Sequence, residues 1–296
     1  MVSGGMAVSS CVGHYSSPPS RGARMFHAVR IDAAAGGESV DVLFDAAEGI
    51  ATITLNRPQR RNALSVAAAE RLHGLWEAID RTPEIKVAIV TSADCGVFCA
   101  GMDLVEAAQV RAAQGKDILE VLRDPFYERM GAVEKPLIGA LNGHFTAAGV
   151  VLAMHCDIRI GLAGTRAGIA EARVGRGSPW AVPLLWMLPQ AVLSEMLLTG
   201  EMHPVERLHA LGFLNYVEPD AAAVRERALR LARAIVANAP LSVRAAKAGL
   251  RAGARLGIEA GLAESKRLHV PVYASEDAQE GPRAFAEGRA PVWRGR

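Results

Sequence analysis

The chain has 296 residues, half of them hydrophobic, which suits one large domain with a substantial core or a domain with an appendage. Its 33 basic and 31 acidic residues leave a net charge of +2, and the arginines are dispersed, so neither nucleic-acid nor membrane binding is expected. Cys11, Cys95, Cys99 and Cys156 match no zinc spacing, so no metal site is expected and a reduced, cytoplasmic chain is the simplest reading.

No apolar run approaches the ~20 residues of a membrane-spanning helix. Residues 1–38 are rich in Gly, Ser, Ala and Pro and carry no period. They read as a disordered N-terminal extension, or as an initiation site set too early, with Met25 the alternative start. The apolar core of a secretory signal is missing there, and Arg21, Arg24 and Arg30 give a faint likeness to a transit peptide.

Order begins near Val40. Val40–Phe44 and Ile50–Leu55 read as strands joined through Asp45–Gly49 into a hairpin. Ser65 can cap a helix whose Leu72, Leu75, Trp76 and Ile79 fall at helical spacing. Val87–Thr91 is a short apolar run bounded by polar turns, as in a buried parallel strand. A loop Ser92–Asp103, a helical stretch over 104–132 and a strand Pro136–Leu141 follow. The small-residue loop Asn142–Ala148 leads into a helix through Cys156, and Asp157–Ile160 is the next strand. This alternation argues for βαβ units and an α/β fold. From Leu184 the pattern is largely helical, clearest over 224–238 and 241–254, with a further helix over 259–274 and an irregular end over 281–296.

Two segments carry chemistry. Phe98-Cys-Ala-Gly-Met-Asp-Leu104 and Leu141-Asn-Gly-His-Phe-Thr-Ala-Ala-Gly-Val150 each place small residues between a strand and a helix start. The first N–H groups of a helix lack intrahelical partners, so each segment can present a free donor. Two such donors aimed at one point make an oxyanion hole. Either segment alone is ordinary punctuation of an α/β chain.

Together with Asn56-Arg57-Pro58, Asn62-Ala63-Leu64, Ala140–Gly143, Cys156-Asp157, Leu198–Gly200, Ala210–Asn215 and Ser275–Asp277, these segments resemble the crotonase (enoyl-CoA hydratase/isomerase) superfamily from about residue 40 to 293. The resemblance implies a crotonase-like spiral of ββα units over 39–220 and a C-terminal helical trimerisation region over 221–296, hence a homotrimer or a dimer of trimers. It implies an acyl-CoA thioester held with its coenzyme A bent, and no cofactor, since coenzyme A is part of the substrate. By position, the oxyanion donors are the backbone N–H groups of Met102 and Ala148, with Ala100 lining the substrate. The segment at Ala63 and Leu64 would meet the adenine, and Arg57 and Arg61 are candidate phosphate contacts.

Hydratases of this superfamily use two glutamates, one three residues past the second donor and one about twenty further on. The first position is Val151 here, and the second is retained as Glu171. One carboxylate holds water poorly, but it can still carry a proton between two carbons of one substrate. An isomerase or an atypical hydratase is therefore expected, with hydrolysis or decarboxylation of the same thioester, or acyl-CoA binding without catalysis, as the alternatives. Apolar surroundings such as Val151 should raise the Glu171 pKa, and a salt bridge to Arg173 is the competing structural role. Trp180 stands where relatives are often glycine-rich and either lines the acyl pocket or belongs to the core. His144 is expected to be packed, Asp103 to cap a helix, Glu106 to lie on a solvated helix face, and Cys99 and Cys156 to be unreactive.

Overall fold

The computed structural model describes residues 41–296, so the expectations for residues 1–38, Met25 included, fall outside the described residues. β1 (Val42–Ala47) and β2 (Ile50–Leu55) form an antiparallel hairpin in which Ala47 pairs with Ile50. The turn is only Glu48 and Gly49, both in the left-handed region (φ 53° and 80°), the backbone that a two-residue hairpin with the right twist requires. Asp45, expected in the turn, stays in the ladder opposite Thr52.

α1 (Val66–Arg81) starts where Ser65 Oγ accepts the Ala68 N–H at 3.0 Å, and it buries Leu72, Leu75, Trp76 and Ile79. β3 (Val87–Ser92), β5 (Leu137–Leu141), β7 (Ile158–Leu162) and β10 (Tyr216–Glu218) complete a six-stranded sheet in the order β1-β2-β3-β5-β7-β10, parallel from β2 onward. β4 (Val97–Cys99), β6 (His144–Thr146), β8 (Arg166–Gly168) and β9 (Met202–Pro204) form a second sheet in the order β4-β6-β8-β9, with only β9 antiparallel. The chain lays β3 then β4, β5 then β6, and β7 then β8, so each passage gives one strand to each sheet. α2 (Leu104–Gln114) follows the first passage and α4 (Ala148–His155) the second, which is the ββα spiral that the family resemblance implies, where the pattern alone suggested βαβ units.

Two spans differ from expectation. The stretch 104–132 is not one helix: Gly115 (φ 69°) ends α2, and Asp117 starts the short α3 (Ile118–Val121) with a capping box. The stretch 281–296 is only partly irregular, because α10 (Glu276–Ala286) runs through Gly281 and Pro282 under a Ser275 cap. Beyond it the chain folds back, with the Trp293 indole donating to Ala237 O (2.7 Å) and the Arg294 and Gly295 N–H groups donating to Asp277 (2.7 and 2.9 Å).

Between the sheets and the C-terminal helices lie a 3-10 turn (Glu171–Val174), a 3-10 segment (Pro179–Trp186), α5 (Gln190–Thr199) and α6 (Val205–Ala210). α7 (Ala221–Val236) buries Val224, Ala228 and Ala232 against Ile50, Val87, Ile89, Ile138, Ala140 and Ile160 of the first sheet. The larger core, with Trp76, Phe98 and Phe145, fills the space among α1, α4 and the two sheets. α8 (Pro240–Leu256) and α9 (Ile258–Tyr273) meet at Gly257 and run back along each other so tightly that a Cβ on Gly261 would lie 2.5 Å from Gly253 Cα. Among the described residues no helix is long and apolar enough to cross a membrane, and no group of three or more His, Cys, Asp or Glu side chains is placed to hold a metal.

Candidate functional site

The second sheet sets the register of the site. Cys99 of β4 pairs with Phe145 of β6, and Thr146 of β6 pairs with Gly168 of β8, all in parallel. Met102 lies three residues beyond Cys99, Ala148 two beyond Thr146, and Glu171 three beyond Gly168. All three therefore leave the carboxyl ends of neighbouring parallel strands, the edge at which open α/β sheets bind ligands.

Both backbone donors are free for local reasons. Leu64 bridges Met102 in parallel fashion, taking the Gly101 carbonyl (2.8 Å) and giving its own carbonyl to the Asp103 N–H (2.9 Å). In that pattern the bridged residue's own N–H points to the opposite side, so the Met102 amide faces away from Leu64. Ala148 is the first residue of α4, and the Val150 and Val151 N–H groups already use the Ala147 carbonyl (2.8 and 3.1 Å). The Ala148 N–H is one of the helix's unpartnered first-turn donors. The two loops touch: a Cβ built on Gly101 would lie 3.9 Å from Ala148 N.

Glu171 opens the 3-10 turn after β8 and is half-buried, with Oε2 buried and without a hydrogen-bond partner among the described residues. Burial raises its pKa above the ordinary carboxylate value, opposed by its own amide, the Trp180 side chain and the Ala170 amide. Arg173, the competing salt-bridge partner, turns instead to Thr199 O (3.3 Å). Two free N–H groups beside one proton-binding carboxyl can stabilise a developing oxyanion and move a proton.

Residues 45–296 match the family described as enoyl-CoA hydratase/isomerase. The (E)-benzylidenesuccinyl-CoA hydratase of Thauera aromatica is 34% identical over 86% of this chain and 99% of its own. The 2,3-dehydroadipyl-CoA hydratase of Escherichia coli is 34% identical over 82% of this chain and 94% of its own. A crystal structure of an enoyl-CoA hydratase from Mycobacterium tuberculosis superposes with a TM-score of 0.77 at 33% identity, covering 87% of this chain and all of that one. The chain belongs to the enoyl-CoA hydratase/isomerase family. It is an enzyme of that family, built on the crotonase fold.

The remaining expected site residues of this crotonase divide into those at the site and those beneath it. Arg57 is not presented to a ligand: its guanidinium pairs with Asp41 (3.2 Å) and Asp103 (2.9 Å) and donates to Ala63 O (2.7 Å). It ties together the base of the first donor loop. Arg61, with a left-handed backbone (φ 53°), is exposed and is the better-placed candidate for a phosphate. Ala63 and Leu64 are buried, Leu64 at 1% exposure, and the Leu64 main chain holds residues 101–103 in place through Gly101 O and the Asp103 N–H. Ala100 is half-buried, its N–H donating to Arg61 O at 3.2 Å. Val151 is buried in the first turns of α4, and Trp180 is half-buried on the segment after Glu171.

Asp103 caps α2 as expected, accepting from the Val105 and Glu106 N–H groups (3.0 and 3.2 Å). Glu106 is not a solvated helix residue, because its carboxylate accepts the Val66 N–H (3.1 Å) at the start of α1. His144 begins β6, at the strand end away from Ala148, and its Nδ1 accepts the Arg166 N–H (2.9 Å). Burial pushes the Cys99 and Cys156 thiols up to about 12, so neither supplies a thiolate. Tyr127, which no motif marked, reaches the site's edge: its hydroxyl donates to Trp180 O.

Proposed function

We propose that this enzyme acts on an acyl-CoA thioester, with the Met102 and Ala148 N–H groups receiving the thioester oxygen and Glu171 as the single acid/base. The reading rests on one observation: two unpaired amides and one carboxyl whose Oε2 is buried without a partner among the described residues leave adjacent strand ends. With a 3-enoyl thioester, the Glu171 carboxylate removes a proton from the carbon between carbonyl and double bond. The electron pair delocalises through the thioester onto oxygen, where the two N–H groups hold the charge. The protonated Glu171 then returns its proton to the far carbon of the old double bond, giving the 2-enoyl isomer. One oxyanion donor typically supplies about 2.7–4 kcal/mol to such a transition state. No external cofactor enters, because coenzyme A travels with the substrate.

The second reading is an atypical hydratase, favoured by relatives named for hydration. Offering 3-enoyl- and 2-enoyl-CoA in ¹⁸O-water separates the two. Double-bond migration without isotope uptake supports isomerisation. Rapid hydration of crotonyl-CoA would overturn the weight placed on Val151, and release of free thiol would indicate hydrolysis. No turnover of either substrate would leave an acyl-CoA-binding protein.

The expectation of a homotrimer or a dimer of trimers draws support from apolar side chains left exposed on α8 and α9, among them Leu250, Ile258 and Tyr273 at 79%, 91% and 75% exposure. Sedimentation equilibrium at micromolar concentration tests it, and a monomer would contradict it.

A further inference from the structure

Asn62 is 1% exposed and stands at φ 52°, directly after Arg61 at φ 53°. Its side-chain amide is fully engaged. Nδ2 donates to Val97 O (2.7 Å) and Ala93 O (2.9 Å), with Cys95 Sγ at 3.4 Å, and Oδ1 accepts the Arg57 N–H (3.0 Å). Its main-chain N–H donates to Arg57 O (2.9 Å). One residue thus closes the turn 57–62 and fastens it to the chain entering β4. From that anchor residues 61–64 run beside residues 100–103: Arg61 O accepts the Ala100 N–H (3.2 Å), and Leu64 makes the two bonds that flank Met102. Asparagine suits the position chemically. Of the residues that tolerate a left-handed backbone, it alone brings two N–H donors for the two carbonyls and an oxygen for the Arg57 amide. Glycine would bring no amide, and aspartate would set a carboxylate against Ala93 O and Val97 O.

We infer that Asn62 is a positioning residue for the first oxyanion donor: by fixing the start of residues 61–64 to the chain entering β4, it sets the direction of the Met102 N–H. This deepens the reading of Met102 as a thioester donor and rests on it. Leu64 and Met102 pair as an isolated bridge outside the two sheets, so no ladder aligns them. Arg57 braces one end of the bridge through Ala63 O and Asp103. The Asn62 amide holds the other end, and by accepting the Arg57 N–H it seats Arg57 as well. A donor counts at the place where the oxyanion forms, so a tilted bridge weakens transition-state binding more than ground-state binding. Loss of the Asn62 amide should therefore lower kcat and leave KM nearly unchanged.

The test compares the parent enzyme with Asn62→Gly, which keeps the left-handed backbone and removes the amide, and Asn62→Asp, which keeps the acceptor for the Arg57 N–H and removes the donors. Melting temperatures confirm folding, and the aspartate variant carries the test should the glycine variant not fold. The first readout needs no substrate: hydrogen exchange at the Leu64, Ala100 and Asp103 amides, with the amides of β3 as the internal reference. Exchange at the three should quicken about tenfold while β3 keeps the parent rate, the mark of a local opening. The second is the resonance of acetyl-CoA labelled with ¹³C at the thioester carbonyl, which two aligned donors draw downfield on binding. That displacement should shrink in both variants. The third is turnover of the 3-enoyl or 2-enoyl thioester, in which kcat should fall about tenfold or more at a KM close to the parent's. Parent-like exchange at the three amides, or an equal acceleration in β3, would overturn the inference. Faster exchange beside a parent-like carbonyl displacement and kcat would overturn it too, because the bridge would then not govern the donor. No downfield displacement in the parent itself would instead remove the two amides from the thioester reading, while the exchange rates still decide whether Asn62 holds the bridge.

Discussion

Gly101 and Ala147 face each other so closely that a Cβ on Gly101 would sit 2.9 Å from the Ala147 methyl carbon. Gly101 is also at φ 102°, a backbone that L side chains rarely adopt, and Ala147 itself is held at φ 51°, ψ −119°. The loops of the two donors therefore interlock through a missing side chain on one and a strained backbone on the other.

Gly101→Ala should displace both donors at once. The expected loss is on the order of 100-fold in kcat, the usual consequence of misplacing a catalytic group by about 1 Å. Stability should fall by about 1–3 kcal/mol. Ala147→Gly, which removes both the opposing methyl and the strain, should restore part of each when combined with it. Steady-state kinetics and urea unfolding measure the two effects, and an unimpaired Gly101→Ala enzyme would contradict the interlock.

Glu171→Gln should lower kcat by about 10²–10⁴-fold, the span of general acid–base catalysis, with little change in KM. Stability should move the other way. The folded-state pKa is raised above the ordinary 4.5, so as pH rises the unfolded chain releases this proton first. Stability then declines through the window between the unfolded and folded values and stays lower above it. At neutral pH the glutamine variant should unfold at higher denaturant concentration than the parent, and near pH 4 the difference should vanish.

Val151→Glu places a carboxyl where the superfamily's hydratases carry their other glutamate. The ratio of hydration to double-bond migration should rise at least tenfold, measured on the 2-enoyl and 3-enoyl substrates in parallel. Val151 is buried at 3% exposure, so the variant should also lose stability, by about 1–3 kcal/mol. An unchanged product ratio in a folded variant would show that this position does not govern water.

His155 makes the protein acid-sensitive from beneath the site. Burial and the charge of Arg251 push its pKa down to about 4 from an ordinary 6.5, and its Nε2 is buried without a partner among the described residues. The unfolded chain takes up a proton below pH 6.5 while the folded chain refuses it until about pH 4, so stability is lost as pH falls between them. The loss approaches about 3 kcal/mol at most. His155→Phe, which keeps a ring against Tyr127, should flatten this part of the pH–stability curve.

Much of the architecture was legible because long apolar runs and caps carry strong local signals. β2, β3 and β5, the Ser65 cap and the Asp103 cap all stand close to where spacing put them. The second sheet was not legible. β4, β6, β8 and β9 have three residues each, too few for any period, and two of them lie inside spans that read as loops. α10 was hidden by Gly281-Pro282, ordinarily a stop signal, which its N-terminal cap and the Asp277 contacts to the returning tail outweigh. In the site, main-chain donors announced themselves through small residues. Arg57 and Leu64 were placed in the right neighbourhood, but their bracing of residues 101–103, through Asp103 and through the Met102 bridge, needed contacts distant along the chain to be seen. Tyr127 left no trace, since a lone tyrosine between helices gains its meaning only from Trp180, distant along the chain.

The seating of α7 bears on synthesis. Its Val224, Ala228 and Ala232 close the face of the first sheet formed by Ile50, Val87, Ile89, Ile138, Ala140 and Ile160. Until the ribosome has released residues 221–236, that face stays wetted and adhesive, although every strand of the sheet already exists. A nascent chain arrested before Ala221 should therefore recruit a holdase or aggregate, while one arrested after α7 has emerged should resist protease.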